Sequence, residues 1–548
     1  MAFVSETDFK KTERFLRKIL ETFKLKLLVY LFIINPVQQL ALYRLNKKMN
    51  DKVEKKVNKD KKKIIFHSLD ARYMPHTYIE AGIAKSLQLR GHEVKMVICA
   101  GALSMCTTHF SVKKPPNKWS CSNCVKFSKK FYDISQLPYH SYNDFIKTID
   151  IEKIKKDISD LSQEQCEKYV FKDVNVGSYS VESAQRYFQG EIPSGKPYEQ
   201  ILKKELVNAI ISTVVAEHVY KLEKPDILFS SHGCYSSWGS FSEYMIKHNV
   251  KTFIWLSGEN NTLTFSKPKA DFFRYYNEIR NKKMLNKKEQ RVLADFINKR
   301  TKGEEGQVAL YGFSDVDKKE LDEKFDFKKF DKTYVLFPNV PWDIAAFSEK
   351  SAFEDIYEWI SYTIDIFKEK ANDQLIIKIH PSETKVMESK RTVLDYINDK
   401  YPELPENIKI IPPDTTISPY SLFPYIDIGI VFTGTIGLEM TLNEIPVIAA
   451  GNAHYRKKGF TFDIDTKKQY KDILFKEIEL KKDQIDMVKV YSYFYFIKNF
   501  VPRDFIYHKN FLNIGWNIKD INELSHGHNK HLDHICDFII NEGVYQGW

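Results

Sequence analysis

Three stretches in the back half of the chain combine residue types that can hold a phosphate. The first is His380-Pro381-Ser382-Glu383. Proline turns the chain away there, and the imidazole of His380 can donate to a phosphate oxygen as it gains charge. Lys378, two residues earlier, adds positive charge. The second is Thr433-Gly434-Thr435-Ile436-Gly437-Leu438-Glu439. Small residues let the backbone turn into a helix whose first amides lack internal partners and suit a phosphate. Thr433 and Thr435 add hydroxyls. Glu439 would repel a phosphate but can accept from ribose hydroxyls. The third is His454-Tyr455-Arg456-Lys457-Lys458-Gly459, with further donors and cations, and Tyr420 in Ser418-Pro419-Tyr420-Ser421 can frame a base or ribose. Each piece alone also has a structural explanation, as a core histidine or a capped helix with a solvated Glu.

These stretches share one feature: each follows a short apolar run. The runs cover 375–379, 426–432 and 446–450, with turn residues at their ends and helical patterns between them. That pattern predicts buried parallel strands. Ligands of open α/β sheets bind outside the carboxyl ends of such strands, so the three stretches should meet at one sheet edge. A fourth run, 334–337, opens this series and leads into Pro338-Asn339-Val340-Pro341-Trp342-Asp343.

The front half repeats the scheme. Strands are expected at 64–67, 93–99, 227–231 and 252–256, with helices at 78–90, 198–221 and 238–249. A strand, a helix and a strand within about 40 residues form a Rossmann-like half. The loop 68–76 has no G-x-G-x-x-G, which argues against a nicotinamide or flavin cofactor.

With 548 residues, more than one domain is expected. Hydrophobic residues make up 43%, which excludes a disordered chain. The net charge of +11 suits an anionic surface, and the first 62 residues are rich in lysine. Within them, 27–34 is strongly apolar but far shorter than the roughly 20 residues of a spanning helix. Basic residues on both sides fit a helix lying in the interface of an anionic leaflet, or else a helix docked on the protein's own core. No secretory leader is read, so reduced thiols and a cytoplasmic location are expected, with peripheral contact at the inner membrane. Seven cysteines make no disulfide framework. Cys121-Ser122-Asn123-Cys124 has a metal-gripping gap, and with Cys106 and either Cys99 or His109 it forms a candidate structural zinc knuckle. Reduced buried thiols are the alternative.

In this order, from Phe337-Pro338-Asn339 through His-Pro, Ser-Pro-Tyr-Ser and Thr-Gly-Thr-Ile-Gly-Leu-Glu to Gly-Asn-Ala-His-Tyr, the sequence resembles the bacterial capsular and surface-polysaccharide glycosyltransferases of the GT-B type. The likeness is good over 334–470, looser over 63–260, and absent over the first 62 residues. It implies an α/β fold of two Rossmann-like domains facing a cleft. The expected divisions are a helical attachment segment with a charged linker over 1–62, an acceptor domain over 63–325, a nucleotide-sugar donor domain over 326–480 and a helical extension over 481–548.

By the same resemblance, His380, Thr435 and Glu439 are donor-site residues. The chemistry of the three stretches adds Lys378, Pro381, Tyr420, Thr433, Gly434, Gly437 and His454 to the expected set. A His-Pro with a Ser/Thr-rich turn also occurs in transferases using cytidine-linked donors. An inverting transfer needs a base from the first domain, for which Asp70, His76 and Glu259 are the candidates. No Asp-x-Asp motif stands out, so no catalytic divalent metal is expected. The partners implied are a nucleotide sugar and a lipid-linked or polysaccharide acceptor, and no nucleic acid. Two alternatives stay open: a nucleotide-sugar epimerase on the same frame, and a non-enzymatic basic protein that binds a membrane or nucleic acid.

Overall fold

The structure, a computed structural model, describes residues 35–49, 58–69, 71, 73–106, 111, 118–147, 150–189, 195–258, 261–266, 279, 281–304, 311–313, 318–344, 352–385, 389–510 and 513–541. Two sheets organise them. The first contains β1 (Lys63–His67), β2 (Glu93–Ile98), β3 (Tyr139–Ser141), β4 (Ile227–Ser231), β5 (Lys251–Ser257) and β6 (Thr262–Ser266). The second contains β7 (Thr333–Phe337), β8 (Gln374–Lys378), β9 (Ile408–Ile411), β10 (Ile428–Val431), β11 (Val447–Ala449) and β12 (Phe462–Asp463). β13 (Val501–Pro502) returns to the first sheet, and β14 (Ile506–Asn510) pairs with β15 (Asn513–Trp516).

The spatial orders are β13-β6-β5-β4-β1-β2-β3 and β12-β11-β10-β7-β8-β9. β1 to β5 are parallel, as is the whole second sheet. Both orders reverse direction beside their first strand, so each sheet has a switch point: between β1 and β4, and between β7 and β10. The expected α/β class with two Rossmann-like halves is borne out. Strands β1, β4, β7, β8 and β10 are buried almost throughout, which explains why they read as continuous apolar runs.

Helices cover the sheets. In the first domain α1 (Asn35–Lys48), α2 (Met74–Leu89), α3 (Lys118–Ile134), α4 (Val176–Phe188), α5 (Lys196–Glu223) and α6 (Ser240–Lys247) are the main ones. α7 (Lys287–Thr301) lies in the stretch of chain between the two sheets, opened by an Asn286–Glu289 capping box. α8 (Ile356–Glu369) and α9 (Ile436–Leu442) flank the second sheet, and α10 (Lys482–Ser492) and α11 (Lys530–Asn541) follow.

Two expectations about the ends of the chain change. The expected helical extension over 481–548 contains three strands, and its later part completes the first domain. β13 pairs antiparallel with β6. Arg90, after α2, pairs with Asp533 and Asp537 of α11. The Trp516 indole donates to the Tyr78 carbonyl at 2.9 Å. Gly82 permits this approach, because a Cβ there would lie 2.9 Å from the Phe505 ring. At the other end, α1 is docked on the protein's own core: Ala41, Leu42 and Leu45 are buried, and Tyr78 donates to the Ala41 carbonyl at 3.3 Å. The apolar stretch 27–34 lies outside the described residues. Among the described residues no helix is long and apolar enough to cross a membrane.

Candidate functional site

Parallel strands deliver the predicted second-domain residues to one edge. β8 and β10 flank β7, so His380 and Thr433 leave that edge roughly 10 Å apart. The Thr433 amide donates to Asn339 Oδ1 at 2.9 Å, tying the end of β10 to the end of β7 at the switch point. Tyr455, fully buried, donates to the Gly434 carbonyl at 2.6 Å and fixes the same loop from beyond β11. Gly437 is required beneath it, since a Cβ would fall 2.2 Å from the Tyr455 oxygen.

His380 is held in one tautomer. The Ser382 amide donates to its Nδ1 at 3.1 Å, which leaves the proton on Nε2. Burial, with a smaller contribution from Lys378, lowers its pKa to about 4. The ring is therefore a neutral N–H donor at physiological pH, and Tyr311 meets it edge-on at 5.8 Å. Lys378 is buried, its ammonium 5.2 Å from the Phe313 ring centre. Pro381 follows β8 as expected. Glu383, in the same turn, is buried with its pKa raised to about 8, chiefly by desolvation, and takes an N–H from Val393 at 2.9 Å.

Glu439 departs from the reading as a solvated or ribose-facing carboxylate. It is 2% exposed. Its Oε1 takes the Arg300 Nε–H at 2.7 Å and its Oε2 takes the Tyr420 hydroxyl at 2.7 Å. Arg300 is also buried and lies 5.6 Å from the Phe496 ring centre. The carboxylate thus clamps α7 to the Thr433–Glu439 loop, and Tyr420 belongs to that clamp. His454 is likewise not a donor on the edge. It stacks on Tyr495 at 4.1 Å, shares a hydrogen bond with the Tyr491 hydroxyl at 2.9 Å, and burial lowers its pKa to about 3.

In the first domain, Asp70 and Glu259 lie outside the described residues. His76 sits in the first turn of α2, edge-on to Trp255 at 4.8 Å and to Tyr73 at 4.7 Å. Its ring centre is 5.6 Å from that of His232. His232 follows β4 directly and has φ +62°, with Gly233 at +61° and Tyr235 at +65°. A histidine in the left-handed region at a switch point marks local backbone strain of the kind that clusters at functional sites. The turn then enters a π-helical segment, Tyr235–Gly239. The two switch points meet through Arg186, at the end of α4. Its guanidinium carbon lies 5.3 Å from the Tyr235 ring centre and 5.4 Å from that of Trp342, which follows β7. Beside it the Lys390 amide donates to the Gln189 carbonyl at 2.9 Å.

Residues 266–488 match the family of capsule polysaccharide biosynthesis proteins.

The matched segment spans α7, the entire second sheet and most of α10, and includes His380, Thr433–Glu439 and Arg300. The resemblance to surface-polysaccharide proteins is borne out over it. No curated protein matches the sequence. Among solved structures, the β-Kdo 2,4-transferase KpsC of Thermosulfurimonas dismutans is 11% identical, covering 50% of this chain and 79% of that one at a TM-score of 0.32. The Neisseria meningitidis UDP-GlcNAc 2-epimerase bound to UDP-GlcNAc is 10% identical (80% and 96%, TM-score 0.26), and a Rickettsia africae glycosyltransferase is 14% identical (80% and 94%, TM-score 0.24).

Outside the matched segment, the expected zinc knuckle is not formed among the described residues. Cys106, Cys121 and Cys124 are in no disulfide and line, with Cys99, an apolar pocket at the ends of β1 and β2. Among the described residues no three His, Cys, Asp or Glu side chains could hold a metal ion. Burial raises the Cys99 and Cys121 thiols above the usual range, so they stay protonated. His109 lies outside the described residues. Arg300, Asn339, Tyr455, Arg186 and His232 are absent from the sequence-based set. Asn339, His232 and Tyr455 carried a signal, since each follows a predicted strand.

Proposed function

We propose that this chain is a glycosyltransferase that moves a sugar from a nucleotide-sugar donor to a surface-polysaccharide acceptor. The observation that carries the reading is the coincidence of the capsule-biosynthesis match with the second sheet, whose switch-point loops hold His380 and Thr433–Glu439 at one edge. The nucleotide phosphate lies against that edge. His380 Nε2–H donates to the leaving oxygen while remaining neutral, and the Thr433 and Thr435 hydroxyls supply further donors. The acceptor hydroxyl enters from the first domain, beside His76 and His232. As its oxygen bonds to the anomeric carbon, the bond to phosphate breaks, and its proton passes to His76. Asn339 and Tyr455 hold the loop still, so that no reorganisation is needed as charge develops. The protein works at the cytoplasmic face of the membrane, where residues 1–34 provide peripheral attachment.

The test is product analysis of the full-length protein with cytidine, uridine and guanosine sugar nucleotides, with and without a glycan acceptor. Sugar appearing on the acceptor supports the reading. An altered sugar nucleotide without acceptor identifies an epimerase. Binding of none of the nucleotides removes the enzyme assignment.

A further inference from the structure

Arg186 lies between the two switch points. Three of its surroundings are defined: the Tyr235 ring, the Trp342 ring, and the Tyr235 hydroxyl, which takes a guanidinium N–H at 3.3 Å. Among the described residues no carboxylate pairs with it. Glu182, one turn earlier on α4, is engaged elsewhere and accepts the Tyr235 amide at 2.8 Å. Guanidinium carries five donors in a planar fork that matches carboxylate and phosphate, and aromatic stacking fixes the plane of the fork without consuming those donors. Trp342 is also pinned, its indole donating to Ser389 Oγ at 3.1 Å. It stands three residues beyond Asn339, which anchors Thr433.

We infer that Arg186 reaches across from the first domain and binds an oxyanion of the nucleotide-sugar donor, so that the donor is held by both domains. This rests on the donor-site reading above. The oxyanion has two sources, the nucleotide phosphate or a carboxylate on an acidic sugar, and both suit the fork. His380 adds no positive charge at neutral pH, Lys378 is buried against the Phe313 ring and Glu439 is paired with Arg300, so the half-buried Arg186 supplies cationic charge where the two domains meet.

The test measures binding of CMP, UMP, cytidine, uridine and CMP-sialic acid to the full-length protein by titration calorimetry. It compares the native chain with Arg186→Gln and Arg186→Lys. If the phosphate is the ligand, Arg186→Gln weakens CMP or UMP on the order of tenfold to a hundredfold and leaves the nucleoside unchanged. If the carboxylate is the ligand, only CMP-sialic acid weakens. Arg186→Lys, which keeps charge but loses the fork, recovers part of the loss. Equal weakening of nucleoside and nucleotide shows a merely structural role and overturns the inference, as does unchanged binding of every anion. If the native protein binds no nucleotide, the donor site itself falls. If it binds and Arg186→Gln matches it, only the Arg186 assignment falls.

Discussion

The Arg300–Glu439 pair makes the strongest quantitative demand on the structure. Both side chains are under a tenth exposed, and their atoms are 2.7 Å apart. At an effective dielectric of ~20 the gross attraction is about 6 kcal/mol, and most of it compensates the cost of taking both ions out of water. Replacing Arg300 with Leu leaves Glu439 buried with only the Tyr420 hydroxyl, which should cost about 3–5 kcal/mol. For the second domain that corresponds to a fall in melting temperature on the order of 10 °C. Adding Glu439→Gln removes the stranded charge and should recover much of the loss, so the double variant is more stable than Arg300→Leu alone. Denaturant titration of the wild type, both single variants and the double variant gives the coupling energy. A loss below about 1 kcal/mol in Arg300→Leu, or additive single effects, would refute a buried clamp between α7 and the Thr433–Glu439 loop. The same geometry predicts that Glu439→Ala weakens the fold as well as the activity.

The remaining predictions use other parts of the site. His380→Ala should abolish transfer with the fold intact. His380→Gln should keep part of it, because an amide N–H replaces a neutral imidazole N–H, and native transfer should show no limb from His380 between pH 5 and 9, which a pH–rate profile checks. Glu383 has a folded pKa of about 8 against 4.5 unfolded, so only the unfolded chain ionises between those values and stability falls as pH rises through that window. At about 1.4 kcal/mol per pH unit the loss is about 3 kcal/mol by pH 7, and Glu383→Gln should raise the melting temperature at neutral pH and flatten its slope. Removing residues 1–34 should release the protein from sedimented membranes without unfolding it. Removal of 1–60 should instead destabilise it by several kcal/mol, because Leu42 and Leu45 lose their burial. Equal thermal stability of the two truncations would contradict the docking of α1.

The central strands were legible because they are buried on both faces, which leaves an unbroken apolar signature at β1, β4, β7, β8 and β10. The edges were not. β9 lies among prolines, while β12 and β13 are two residues long and take their conformation from a neighbour. At the site, the His-Pro and Thr-Gly-Thr turns could be read because strand ends announce them. The fate of Glu439 could not, since its partner Arg300 is 139 residues away and sits in a stretch that reads only as charged and helical. His454 shows the same limit from the other side. Its position after β11 is legible, but the Tyr491 and Tyr495 that bury it come from a distant helix.

The return of 501–541 to the first sheet has a consequence for how the molecule is made. The half built on the second sheet is one uninterrupted piece of chain, whereas its companion is assembled from two pieces that bracket it. During synthesis, β6 stays an open edge and α2 stays uncovered until residues 501–541 arrive. The lobe of the second sheet can therefore mature first, and the other lobe waits with an unfinished flank open to chaperone contact.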